Sequence, residues 1–209
     1  MTSMTRNVQL HPTAIIEDGV LLGDGTSVWS HVHIRRDTTI GEQCIVGEKS
    51  YIAYEVQIGN RVKINSLVYI CHGVKIEDGA MVSASTVFTN DRFPRATTPD
   101  LQTLRPSDPD EETLPTLVRA GATIGAGCVI GNNLEIGSFA IVGMGSVVTK
   151  SIPDFHLAMG TPAKSMGVVC RCGKLLSWFH EIALPATLTC EECERKYDVD
   201  EQAVVTEST

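Results

Sequence analysis

No stretch of the 209-residue chain approaches the roughly 18 consecutive apolar residues of a membrane-spanning helix, so no membrane partner is expected. Positive charge is also scarce. Seventeen Lys and Arg stand against 25 Asp and Glu, a formal charge of -8, which argues against nucleic acid as the main partner. Residues 1–9 are polar, lack the apolar run of a secretory signal, and are expected to be a frayed leader. Three of the seven cysteines, Cys44, Cys71 and Cys128, are scattered as small buried or corner residues would be, which suits a reducing cytoplasm. The other four cluster near the end. At this length, one domain plus an appendage is expected.

What the chain does have is a period. Every sixth residue from Leu10 to Phe88, and again from Val118 to Val148, is a large apolar one. Two positions before most of these lies a small or β-branched residue, such as Thr26, Val32, Cys44, Ala80, Cys128 or Ser146. Residues two apart on a strand face the same side, so each hexad offers two inward side chains and must then turn. Glycine often follows the apolar residue, as at Gly41, Gly125 and Gly143, which suits a corner where φ turns positive or backbones crowd. Short straight segments joined by repeated corners predict an all-β parallel β-helix of hexapeptide repeats.

The pattern breaks at 89–117, an inserted loop holding five of the nine prolines and the acidic run Asp108-Pro109-Asp110-Glu111-Glu112. Loops longer than about 15 residues in a compact domain are usually functional or disordered. The part from Thr89 to Arg95 is read as functional, and the Pro/Asp part as a mobile arm.

Hexads such as Ile124-Gly125-Ala126-Gly127-Cys128-Val129 resemble those of the left-handed β-helix acyltransferases. The ending Val142-Gly143-Met144-Gly145-Ser146-Val147-Val148, followed by Gly160-Thr161-Pro162-Ala163-Lys164, resembles their closing motif. Within that superfamily, Phe88-Thr89-Asn90-Asp91-Arg92-Phe93-Pro94-Arg95 is similar to the nucleotide-linked 3-amino-sugar N-acyltransferases. The resemblance covers about residues 10–167, the expected acyltransferase domain being 1–167. It implies left-handed coils of three hexads and a homotrimer with sites between subunits. It further implies an acyl-CoA donor, with acetyl-CoA the expected one, and a UDP- or dTDP-linked amino sugar from surface-polysaccharide (lipopolysaccharide) or deoxysugar biosynthesis. Gly143, Thr161, Pro162 and Lys164 match the motif on the CoA side, with Lys164 a partner for a phosphate. Asn90 matches the asparagine expected to hold the sugar's amino group. His72 departs from the pattern, because several relatives carry an acidic residue at that corner.

With eighteen residues per coil, Arg36, Tyr54, His72 and Asn90 form a ladder along one corner, beside Asp37, Glu55, Gly73 and Asp91. All lie two or three residues past an inward position and so face outward. A histidine near Asn90, Glu55 and Asp91 has the parts for acid–base work, although a plain surface histidine reads the same way. Arg35, Arg36, Arg92 and Arg95 are candidates to hold a diphosphate. Asn90 and His72 are therefore the catalytic candidates, with Arg36, Tyr54, Glu55, Asp91, Arg92 and Arg95 expected to bind substrate.

Residues 168–209 form a separate tail. Cys170-x-Cys172 and Cys190-x-x-Cys193 read as a zinc-ribbon-like set of four thiolates for a structural zinc ion, against two disulfides or free thiols. Other readings of the whole chain are O-acyl transfer or transfer to a 4-amino sugar on the same fold, and a non-catalytic trimeric scaffold. A γ-class carbonic anhydrase is suggested by Trp29…Arg35-Arg36-Asp37 but opposed by the lack of a second histidine after His72 until His156.

Overall fold

The computed structural model describes residues 7–208. The first six residues of the expected leader lie outside the described residues, and Gln9–Leu10 already forms the first strand. All regular structure among the described residues is β, and no helix is long and apolar enough to cross a membrane. Two-residue strands, a few of them three residues long, alternate with corners and stack in parallel into three faces.

Partners in the stack are 18 residues apart, as in Leu10 with Val28, Ile34 with Ile52 and Ile40 with Ile58. The first face runs from Gln9–Leu10 to Ile141–Val142, the second from Ile15–Ile16 to Val147–Val148, and the third from Leu21–Leu22 to Leu134–Ile136. This is the three-sided left-handed β-helix expected. Across the insert the spacing becomes 42, as in Val82 with Ile124 and Val74 with Thr116. The excess of 24 over an ordinary coil is four whole hexads, which is why the apolar phase survives the interruption.

Every apolar repeat position from Leu22 to Val148 is buried in one continuous core. Leu10 remains 49% exposed because the first coil has a neighbour on one side only. The small residues two positions earlier have a further task. Thr26, Thr38, Ser50, Thr86 and Thr116 each donate a hydroxyl hydrogen bond to a backbone carbonyl 15 residues on, or correspondingly further across the insert. Hydroxyls turned inward are thus satisfied rather than orphaned.

The glycine after the apolar residue answers to crowding, not to φ. A Cβ at Gly125 would lie 2.5 Å from the Met144 nitrogen of the next coil. Positive φ instead falls two residues later, at His31, Asp37, Glu55 and Arg61 among others, one per corner.

Beyond Val148 the first face continues through His156–Gly160, parallel to Ile141–Val142. It then reverses into Ala163–Val169 and Leu175–Trp178, both antiparallel. A separate three-stranded antiparallel sheet follows, made of Ala186–Thr189, Lys196–Val199 and Val205–Ser208. The Ala163–Val169 strand straddles the 167/168 point where the tail was expected to begin. Phe155, Val168, Cys170, Cys190, Tyr197, Val199 and Val205 form a second core of their own.

Candidate functional site

The chain passes from the second face to the third through corners such as Cys71-His72-Gly73. These corners stack as the arithmetic requires. The Arg36 guanidinium carbon lies 4.6 Å from the Tyr54 ring centroid, and the Tyr54 and His72 rings stack at 4.8 Å. Asn90 Nδ2 donates to the His72 carbonyl at 3.0 Å, completing the ladder. Cation, phenol, imidazole and amide therefore rise along one edge, each resting on the one before.

The contacts define what the two central groups can do. His72 Nδ1 lies 3.2 Å from the Tyr54 carbonyl, which can only accept, so Nδ1 carries the proton and Nε2 presents the lone pair. Glu55 Oε2 is 3.7 Å from the same Nδ1. Because its amide nitrogen is committed to a carbonyl, Asn90 presents Oδ1 as an acceptor, and no partner for it occurs among the described residues. An amide acceptor and an imidazole lone pair from successive coils of one ladder suit an amine that must be oriented and lose a proton on attack.

Asp91 pairs with Thr113 where the insert leaves and returns, and its Oδ1 accepts from the Phe93 N–H. It makes no contact with His72 in the described structure. Arg35, by contrast, is taken. Glu17 Oε1 binds its Nε at 2.5 Å, and its Nη1 donates to the Tyr51 hydroxyl, which removes it from the anion-binding set. The paired Arg35 guanidinium first, then hydrogen bonds from the Arg36 N–H and His33, hold the Glu17 carboxyl down at about 2. Arg92 lies against the Phe93 ring, and Arg95 donates to the Pro94 carbonyl, both remaining exposed.

The Pro/Asp arm is where sequence reasoning missed a contribution. Segment 105–110 folds back over the edge and, with Tyr54, Asn90, Asp91 and Arg95, encloses a cavity of about 110 Å³. An Arg105–Asp110 ion pair at 3.6 Å helps hold it there. Burial, and next the Asp108 carboxylate, push the Tyr54 phenol pKa up. A larger groove of about 530 Å³ runs along the third face past Gln57, Lys75 and Glu77, but it touches no residue of the ladder.

The residues matched to the CoA motif lie elsewhere. Gly143 follows the first-face strand Ile141–Val142, so it sits on the edge between the first and second faces. Thr161 and Pro162, joined by a cis bond, turn the chain from His156–Gly160 into Ala163–Val169, which carries Lys164. A Cβ at Gly143 would come 2.9 Å from the Met159 Cβ. Ser146 Oγ donates to the Gly143 carbonyl and accepts from the Gly160 N–H, which ties the turn to the last coil. Within one chain these residues and the Asn90 ladder occupy different edges, separated by the second face.

The four tail cysteines do converge. Their sulfurs all lie within 4.8 Å of one another, with Cys170–Cys193 at 3.3 Å and Cys172–Cys190 at 3.6 Å, and none is in a disulfide. Among the described residues this is the one group of three or more His, Cys, Asp or Glu side chains placed to share a metal ion. The Arg195 backbone N–H, and next its guanidinium, draw the Cys193 thiol pKa down to about 6.

Residues 55–90 match the family model described as bacterial transferase hexapeptide (six repeats). A dTDP-3-amino-3,6-dideoxy-alpha-D-galactopyranose 3-N-acetyltransferase from Aneurinibacillus thermoaerophilus is 48% identical over 69 residues, covering 33% of this chain and 36% of that protein. Serine acetyltransferase from Haemophilus influenzae is 30% identical over 118 residues, 54% of this chain and 42% of the relative. The chain spans about a third of the length of the first curated relatives it matches. Among solved structures, a hexapeptide-repeat containing acetyltransferase from Vibrio cholerae aligns with a TM-score of 0.50 at 22% identity, covering 73% of this chain and 74% of the other, a likeness of fold.

Proposed function

We propose that this hexapeptide-repeat protein is an acyl-CoA-dependent N-acyltransferase that moves an acetyl group to the 3-amino group of a UDP- or dTDP-linked sugar. The observation that carries the reading is the Asn90 amide, its nitrogen tied to the His72 carbonyl and its oxygen left as an acceptor one coil from the imidazole. The 3-amino-sugar N-acetyltransferase of A. thermoaerophilus lends the substrate class. In this mechanism Asn90 Oδ1 accepts one N–H of the neutral amine and aims its lone pair at the thioester carbon. The C–N bond forms, the C–S bond breaks, and the amine proton passes to His72 Nε2 or directly to the leaving thiolate. A thioester is already activated, so placement supplies much of the rate.

The reading extends to assembly and setting. Because the Asn90 ladder and the Gly143–Thr161–Pro162–Lys164 set lie on different edges, a complete site joins two copies, as in a homotrimer. The exposed second-face residues Tyr69, Val87 and Val129 supply apolar surface for such a contact. A cavity of 110 Å³ is below the roughly 300 Å³ of small-molecule sites, so segment 105–110 moves aside for a nucleotide sugar. The four thiolates are assigned to a structural zinc ion and the setting to the cytoplasm, with surface-polysaccharide or deoxysugar synthesis as the context. The domain is taken as residues 1–167 and the tail as 168–209.

O-acetyl transfer is the second reading, favoured by the serine acetyltransferase relatives. A thiol-release assay with acetyl-CoA separates the two, using UDP- and dTDP-linked 3-amino and 4-amino sugars and L-serine as acceptors. Release with one 3-amino sugar alone supports the proposal. Release only with serine or a 4-amino sugar replaces it, and silence with every acceptor overturns it.

A further inference from the structure

We infer that the metal site formed by Cys170, Cys172, Cys190 and Cys193 is a clamp that locks the tail onto the last coil and thereby holds the turn carrying Thr161–Lys164. The inference rests on the assignment of that turn to acyl-CoA and of the four thiolates to zinc.

The donor set fits the ion. A tetrahedral site with Zn–S bonds of about 2.3 Å has S–S edges of about 3.8 Å. The sulfurs here, all within 4.8 Å of one another, need only small adjustments to reach that geometry. The surrounding groups are built for it as well. The Tyr197 hydroxyl, fully buried, lies 3.2 Å from Cys170 Sγ and accepts from the Arg171 N–H, so its own proton points to the sulfur. Both cysteine pairs sit on tight turns, closed by Gly173 N–H to the Cys170 carbonyl and Glu194 N–H to the Cys190 carbonyl.

What the site fastens is the end of the solenoid. Cys170 directly follows the Ala163–Val169 strand, whose other end begins at the Thr161–Pro162 turn. Arg171, between the first two ligands, places its guanidinium carbon 4.3 Å from the ring centroid of Phe139, a corner residue of the last coil. Phe139 stacks on Phe155 at 5.6 Å, and Phe155 meets Tyr197 at 5.3 Å. Glu207 binds Arg171 at 3.4 Å and Arg195 at 3.0 Å, joining the two cysteine turns across the final strand. Buried His156 bonds Ser165 through Nδ1 at 2.9 Å and the Ala203 carbonyl through Nε2 at 2.8 Å. A solenoid exposes its core at its ends unless something covers them. Here the cover is small and split among short strands, and a metal cross-link between residues 20 apart in sequence compensates for that.

The test uses the full chain, purified without chelator and then depleted of zinc. Zinc content, hydrogen exchange and acetyl-CoA binding are read on both forms and on Cys190→Ser and Arg171→Ala. The clamp predicts zinc in the native chain and loss of it in Cys190→Ser. It predicts exchange faster by about tenfold or more over 157–169 with the coils from Val28 to Val82 unchanged, and acetyl-CoA binding weakened about tenfold. Arg171→Ala, which keeps all four ligands, is expected to retain zinc and show a smaller rise over 157–169. Absence of zinc from the native chain overturns the site. Bound zinc with unchanged exchange over 157–169 in both the depleted form and Arg171→Ala overturns the clamp. Neither readout depends on catalysis, so failure of the acyltransferase reading remains separately visible.

Discussion

Two edges of the same prism differ sharply. The edge between the second and third faces carries Arg36, Tyr54, His72 and Asn90 in stacked contact. The edge between the first and second faces, in its later coils, carries mostly small residues, Ala84, Ala126, Gly127, Gly143 and Gly145, with Met144 projecting from it 83% exposed. Inside, the hexads of both are alike. The difference shows that the fold constrains only the inward positions and the crowded glycines, while the outward corner slots are free to be specialised. Under the proposed function, one edge carries the side chains that hold and deprotonate the amine. The other has open space beside Gly127 and Gly145, as suits a long ligand laid along the stack.

Substitutions can break this comparison. The largest effect is expected at Asn90. Asn90→Ala should lower turnover in the thiol-release assay by about 10²–10³-fold, the scale of removing one aligned hydrogen-bonding group, with acetyl-CoA binding unchanged. A parallel loss of acetyl-CoA binding would mean the two edges are not distinct sites. His72→Ala should cost about 10²-fold, the lower range for a proton-transfer group, and recover in part with added imidazole. Full activity in this variant would reduce His72 to a stacking residue. On the small-residue edge, Gly143→Val places side-chain atoms against Met159 and should raise KM for acetyl-CoA about tenfold, the scale of one to two kcal/mol of steric strain, with the nucleotide-sugar KM unaltered. Equal changes in both constants would argue that one edge serves both ligands.

The smallest effect concerns the coil beneath the ladder. Glu17 has a folded pKa of about 2, depressed below 4.5 by Arg35, so its contribution is fully present above pH 4.5 and fades as pH falls toward 2. Thermal unfolding of Glu17→Gln should therefore differ from the native chain at pH 7 and converge with it near pH 2. A constant difference across that range would show that the carboxylate's charge is not what holds Arg35.

Much of the molecule was legible because stacking turns sequence distance into spatial distance. Leu22 to Val148 could be assigned to the core one by one, and the contacts of His72 with Tyr54 and Asn90 follow from adding 18. The insert left that arithmetic intact because its 24 extra residues are whole hexads. Where the repeat stops, the rule stops with it. Nothing periodic marks segment 105–110 as a cover over Tyr54 and Asn90. Arg35 looked like its neighbour Arg36 until Glu17, one coil below, was seen to hold it.

The sequence by itself determined the β-helix and its inward positions, and with the three-hexad coil that the resemblance implies it determined the register and the ladder, since each depends on a repeat that every coil imposes on the next through backbone hydrogen bonds. Only the tertiary structure decided the rest. It showed which corner arginine is spent, it set the CoA-motif residues on a different edge from Asn90, and it brought four cysteines, 23 residues apart at their extremes, within 4.8 Å. Those outcomes rest on long-range contacts between segments of unrelated sequence, and no period connects them.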